Sequence, residues 1–126
     1  IAKPRTFVNH SGQAIKYLKD RYRIPASSFL IIFDDMDLPI GQIRMRASGG
    51  SGGHNGLNSI LRTLETDNFS RLRIGIGRPK GDTIEHVLSR FGSEEIPALE
   101  KAIEDAYEAT LAWIHYGIEY AMNKYN

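Results

Sequence analysis

Residues 47–61 read ASGGSGGHNGLNSIL, and no other stretch constrains the fold as much. Residues 48–53 form a loop with almost no side chains, and Leu57, Ile60, Leu61 and Leu64 follow at helical spacing. A glycine loop feeding a helix brings free backbone N–H groups and the positive end of a helix dipole to one spot. Such a spot suits an anion, most often a phosphate. His54 and Asn55 stand at the junction, within side-chain reach of the same ligand. A plain flexible loop before an ordinary helix has the same composition, so the loop alone assigns nothing. It does exclude common nucleotide motifs. A Walker A loop ends in Gly-Lys-Ser/Thr, whereas this one ends in Gly53-His54-Asn55, and Asn55 replaces the third glycine of the dinucleotide pattern.

The length of 126 residues fits one domain with a real core. No cysteine is present, which removes disulfides and thiolate metal sites and fits a reducing compartment. No apolar run is long enough to cross a membrane. The charge is uneven. Residues 1–80 hold 13 Lys and Arg against 6 Asp and Glu, a net +7, and residues 81–126 hold 3 against 9, a net −6. A basic first part beside a glycine loop points to a nucleic-acid partner.

In chain order, residues 7–12 read as a polar turn leading to a helix over 12–22, with Ser11 as N-cap and Ile15, Leu18 and Tyr22 on one face. Pro25 ends that region. The apolar run over 29–33 reads as a central strand covered on both faces, followed by Asp34, Asp35 and Asp37 and a Leu38-Pro39 turn. Acidic residues just past a buried strand lie where open α/β sheets put their active sites. Residues 42–46 alternate, with Ile43 and Met45 inward and Arg44 and Arg46 outward. Residues 71–77 read as another strand, with Leu72, Ile74 and Ile76 inward and Arg71 and Arg73 outward. Val87, Leu88 and Phe91 suggest a short helix. Ser93 is expected to cap a long one, with Leu99, Ala102, Ile103, Ala106, Thr110, Trp113 and Ile114 as its apolar stripe. Gly117 breaks it, and a short last helix follows. The alternation predicts an α/β fold: a mixed β-sheet flanked by helices, in a single domain over residues 1–126.

Among residues suited to chemistry, one aspartate after the central strand is placed to orient a histidine general base. The cluster of Asp34, Asp35 and Asp37 also offers a Mg²⁺ reading, though no nucleotide loop accompanies it. No metal-ligand histidine spacing and no nucleophile elbow occur. Asn9 and Asn55 each border a tight turn. A carboxamide there serves turn geometry, or donates to a developing oxyanion and accepts from a substrate amide.

Four segments together, TFVNHSG (6–12), DDMDLP (34–39), GGHNGL (52–57) and RLRIGIGRP (71–79), resemble the bacterial-type peptidyl-tRNA hydrolases in order and near-family spacing. The resemblance covers the whole chain. It implies a cofactor-free and metal-free monomer of the cytoplasm, or of an organelle if the source is eukaryotic. Its implied activity is hydrolysis of the ester joining a peptide to tRNA, which recycles tRNA in translation. By the same resemblance Asp34 orients the catalytic histidine. Asn9 and Asn55 bind the peptidyl end with Phe7 beside them, Arg46 and Arg73 hold tRNA phosphate, and His54 has a secondary role. The family's catalytic histidine and a further asparagine lie in an N-terminal segment ahead of the position matching Ile1, so the chain is expected to be N-terminally truncated. Val8 replaces a usual methionine, and His10 stands in a usually apolar place. The alternatives are a non-catalytic RNA-binding module on the same fold, like those of organelle RNA splicing, and a metal-dependent phosphoryl-transfer domain.

Overall fold

The computed structural model describes residues 1–78 and 91–126. Val87 and Leu88 of the expected short helix, and His86, lie outside the described residues. The chain packs as two compact units, one of residues 1–29 and 47–70 and one of residues 30–46 and 71–126.

The first unit is built on a helix pair. A 3-10 turn, Val8–His10, leads into α1, Ser11–Tyr22, and α2 spans Asn55–Leu64. The two helices meet at Gly12, whose N–H donates to Ser59 Oγ at 2.9 Å. A Cβ on Gly12 would lie 2.2 Å from Thr63 Oγ1 and 2.4 Å from the Ser59 carbonyl oxygen, so this approach needs glycine. One turn earlier, a Cβ on Gly56 would stand 3.1 Å from Val8 Cγ1. Residue 8 thus faces 56, and residue 12 faces 59 and 63. The helices run in the same sense with their N-terminal ends together. Ile15, Leu57 and Ile60 are buried.

Two expectations fail here. Tyr22 does not share the buried face with Ile15, because the helix contact runs through Gly12 and Ile15, and Tyr22 stays exposed in the last turn. Arg23 then ends α1 in a left-handed conformation (φ 51°), its N–H on the Lys19 carbonyl. Ser11 is not the N-cap. His10 holds that place without a side-chain bond, and the Ser11 hydroxyl donates to the Val8 carbonyl at 2.7 Å.

The sheet has β1 (Leu30–Asp35), β2 (Ile43–Arg46) and β3 (Ser70–Gly75) in the order β1-β3-β2. β2 and β3 are antiparallel, with Ile43 opposite Ile74 and Arg46 opposite Arg71. The Phe29 carbonyl accepts from Ser70 N–H and the Asp35 carbonyl from Ile76 N–H, so β1 and β3 advance in the same direction. The sheet is mixed, as expected. β1, however, is not covered on both faces. It stands at the end of the strand order, and its burial alternates, leaving Ile32 48% exposed and Asp34 exposed. The middle place belongs to β3. On it Arg71, expected to face outward, is only 3% exposed.

The core of the second unit lies between β2, β3 and the last two helices, α3 (Ile96–Tyr116) and α4 (Ile118–Tyr125). Ile43, Met45 and Leu72 pack with Ala102, Ala106, Ala109, Ala112 and Ala121. Ala102 and Ala106 of the expected stripe are buried and Trp113 packs beside them, but Ala109 and Ala112 complete the face. Ile103 and Ile114 are exposed instead, because small side chains let the helix sit close to the strands. Nor does Ser93 cap α3. The helix begins at Ile96 after Glu95, with Pro97 in its first turn, and the Glu95 carboxylate accepts from Gly92 N–H. Gly117 ends it at φ 88°. Asn126 completes the sheet edge. Its carboxamide accepts from Met45 N–H at 2.6 Å and donates to the Met45 carbonyl at 3.0 Å, as a neighbouring strand would.

Replacing Gly12 with alanine forces α1 and α2 apart. The expected loss is about 1–3 kcal/mol of stability, typical of overpacking at a tight contact. Chemical denaturation would check it, with a lower midpoint at unchanged slope.

Candidate functional site

The first unit carries four of the residues singled out from the sequence: Phe7, Asn9, His54 and Asn55. Phe7 is 81% exposed, ahead of the 3-10 turn that carries Asn9, and Asn9 and Asn55 are exposed as well. The turn packs against the start of α2, with Val8 over Gly56. The segments bearing the two asparagines therefore adjoin. Both helices present their N-terminal ends there, so two positive dipole ends share one locality. One free amide of α1 is already taken, since Gly12 N–H is bonded to Ser59.

The glycine loop is shaped rather than slack. The Ser51 hydroxyl accepts from Gly53 N–H at 3.2 Å, and the Ser51 carbonyl accepts from His54 N–H at 3.1 Å. Gly52 and Gly53 both have positive φ, 58° and 86°, which explains the glycine pair before the histidine. His54 is extended and forms the N-cap of α2, and its Nδ1 accepts from Leu57 N–H at 3.2 Å. The sequence reading gave His54 only a secondary role. The available signal was its place directly before Asn55 and three residues before the first apolar position of the helix.

The second unit carries Asp34, Arg46 and Arg73. Asp34 is exposed near the carboxyl end of β1. Arg46 is exposed on β2, its Nη1 donating to the Met45 carbonyl. Arg73 is half-buried on β3 and donates to Asp35 Oδ2 at 2.8 Å. The other oxygen of Asp35 accepts from Asp37 N–H at 2.8 Å, closing the turn after β1. Asp37 in turn is paired with Arg78. Of the three aspartates offered as a Mg²⁺ cluster, Asp35 and Asp37 thus face arginines. Among the described residues no three His, Asp or Glu side chains group as metal ligands. Sequence reasoning missed the Asp35–Arg73 pair, which joins residues 38 positions apart.

Close backbone approach holds this turn in place. A Cβ on Gly75 would lie 2.1 Å from the Pro39 carbonyl oxygen, and Gly77 N–H donates to the Leu38 carbonyl at 3.0 Å. The Leu38-Pro39 turn therefore lies on the end of β3, one residue past Ile74, and fixes the aspartate segment that precedes it.

Asp35→Ala removes an acceptor from both Arg73 and Asp37 N–H. The expected cost is about 1–2 kcal/mol, discounted for the partial exposure of the pair. Asp35→Asn keeps a carbonyl for the amide and should cost less. Thermal unfolding of the two variants side by side would check the order.

The described helices include none long and apolar enough to cross a membrane. The peptidyl-tRNA hydrolase family model matches residues 1–126. A peptidyl-tRNA hydrolase of Synechocystis sp. is 45% identical over all of this chain and 66% of its own length. One from Syntrophomonas wolfei is 47% identical over all of this chain and 69% of its own. The crystal structure of peptidyl-tRNA hydrolase from Acinetobacter baumannii superimposes with a TM-score of 0.88 at 37% identity, covering 98% of this chain and 63% of that one. The chain thus spans about two thirds of the length of the relatives it matches. With a family model matched from end to end and this level of identity, the chain belongs to the peptidyl-tRNA hydrolase family.

Proposed function

We propose that this chain supplies the substrate-binding part of an enzyme that hydrolyses peptidyl-tRNA to free tRNA and peptide. The observation that carries the reading is the adjoining placement of Asn9 and Asn55 at two helix N-termini, in a chain matched throughout by the family model. Their carboxamides bind the amides of the peptidyl end, with Phe7 beside them. Asp34 orients a histidine general base, the one that the family resemblance puts ahead of the position matching Ile1. Water activated by that base attacks the ester carbonyl, its proton passes to the imidazole, and the tRNA ribose oxygen leaves with a proton returned to it. Arg46 and Arg73 hold phosphate, which positions the tRNA and makes binding salt-dependent. For Arg73 this means exchanging or sharing its Asp35 partner. Sites that hydrogen-bond an amide reject an analogue with a free, charged amine, so aminoacyl-tRNA is spared. The 126 residues are read as one functional domain of a cytoplasmic monomer that needs no metal or cofactor. The relatives described above are named as hydrolases, which favours turnover over RNA binding alone.

The test is hydrolysis of an N-acetylated aminoacyl-tRNA by the intact protein. Asp34→Ala is expected to lower kcat by about 10²-fold, the usual scale of general-base assistance. Asn55→Ala should weaken substrate binding about tenfold, the equivalent of one lost hydrogen bond. Arg46→Ala should reduce the slope of log affinity against log salt by about one. Unchanged rates in both Asp34→Ala and Asn55→Ala would overturn the assignment.

A further inference from the structure

We propose that His54 is a positioning residue for Asn55, acting through the N-cap of α2 and not through chemistry of its own on the ester. The proposal rests on the reading that Asn55 binds the peptidyl end. His54 has the extended backbone of an N-cap (φ −71°, ψ 119°), and its carbonyl accepts the first intrahelical bond, from Asn58 N–H at 2.9 Å. Its Nδ1 accepts from Leu57 N–H, the third amide of the helix and one that has no acceptor within the helix. Asn55 is the first helical residue, between the cap and the amide it holds. The first turn of α2, and the direction in which Asn55 leaves it, therefore depend on the cap.

Gly56 leaves the space that the ring occupies. A Cβ on Gly56 would lie 3.1 Å from His54 Cε1, 3.3 Å from Nδ1 and 3.1 Å from Val8 Cγ1. The bare α-carbon of Gly56 makes room for the imidazole and for the turn that carries Asn9. One packing point thus sets the cap and joins the two asparagine-bearing segments. Accepting at Nδ1 requires a lone pair there, so the N–H of the ring in this bond is at Nε2. A histidine accepting in this way caps the helix without a carboxylate. Aspartate, an equally good cap, would place a negative charge where the tRNA end approaches.

The experiment compares His54→Ala, His54→Asn and Asn55→Ala in the intact protein. It reads amide exchange at Leu57 in the free protein and the Kd for an N-acetylated aminoacyl-tRNA. His54→Ala should speed exchange at Leu57 about fivefold, as expected for loss of a typical cap, and weaken binding three- to tenfold, about as far as Asn55→Ala. His54→Asn restores a capping oxygen and should return both readouts to within about twofold of the parent. Binding by His54→Asn as weak as by His54→Ala, with Leu57 protected, would overturn the proposal and give the imidazole a direct role. Parent-like binding by His54→Ala beside an impaired Asn55→Ala would also overturn it. Parent-like binding by Asn55→Ala would instead bring down the underlying site reading, and the proposal with it.

Discussion

The contact that the first unit depends on is the one at Gly12. Two helices running in the same sense gain nothing from their dipoles, since like ends lie together. Something must hold them, and it does so at one backbone position. Gly12 lets α1 approach until its amide reaches the Ser59 hydroxyl and its α-carbon comes up against the Ser59 carbonyl and Thr63. That bond satisfies one of the amides at the start of α1, offsetting part of the desolvation of a buried helix end. Without it the 3-10 turn would lose its seat on Gly56, and Asn9 would no longer stand beside the start of α2.

The second unit solves a related problem with the same device. The turn after β1 must bring three aspartates to the sheet end without leaving their charges uncompensated. Gly75 lets the Pro39 carbonyl approach β3, and the Asp35 carboxylate is then shared between Arg73 and the Asp37 amide. In both units a glycine permits a close approach of backbones, and a polar side chain from a distant segment secures it. The other ladder end is closed by Asn126, whose carboxamide bonds Met45 in both directions.

Much of this was legible in the sequence. The glycine loop, the start of α2, the alternation of β2 and the break at Gly117 follow from local rules, and local rules held there. What was not legible depended on neighbours. The run over 29–33 has the composition of a doubly covered strand, yet burial depends on what packs on each face, and β1 alternates, with Ile32 left exposed. Arg71 and Arg73 alternate like outward residues, but Arg71 is buried and Arg73 meets Asp35. On α3, hydropathy put Ile103 and Ile114 in the stripe with Ala102 and Ala106, and both isoleucines are exposed. Ala102 and Ala106 were in the expected stripe, but Ala109 and Ala112, which were not, take the buried places beside them against Met45 and Leu72. The asparagines were found for their chemistry, but their adjacency was carried by Gly12 and Gly56, glycines whose partners across the helix pair no local pattern names.

Under the proposed reading, the paired helix ends do more than position two carboxamides. Each N-terminus carries about half a positive charge. Two such ends in one locality raise the potential where the end of the acyl group would lie. A neutral peptide amide and a phosphate are both compatible with that potential. The ammonium of an aminoacyl-tRNA is not, and it would meet the asparagines with donors only, leaving any donor on them unmatched. Discrimination of this kind combines repulsion with an unmet hydrogen bond, the two ways in which a site rejects a near-identical competitor. It also accounts for a capping residue that is not a carboxylate. A carboxylate at position 54 would cap α2 as well as His54 does, but it would cancel much of the positive field on which such rejection depends.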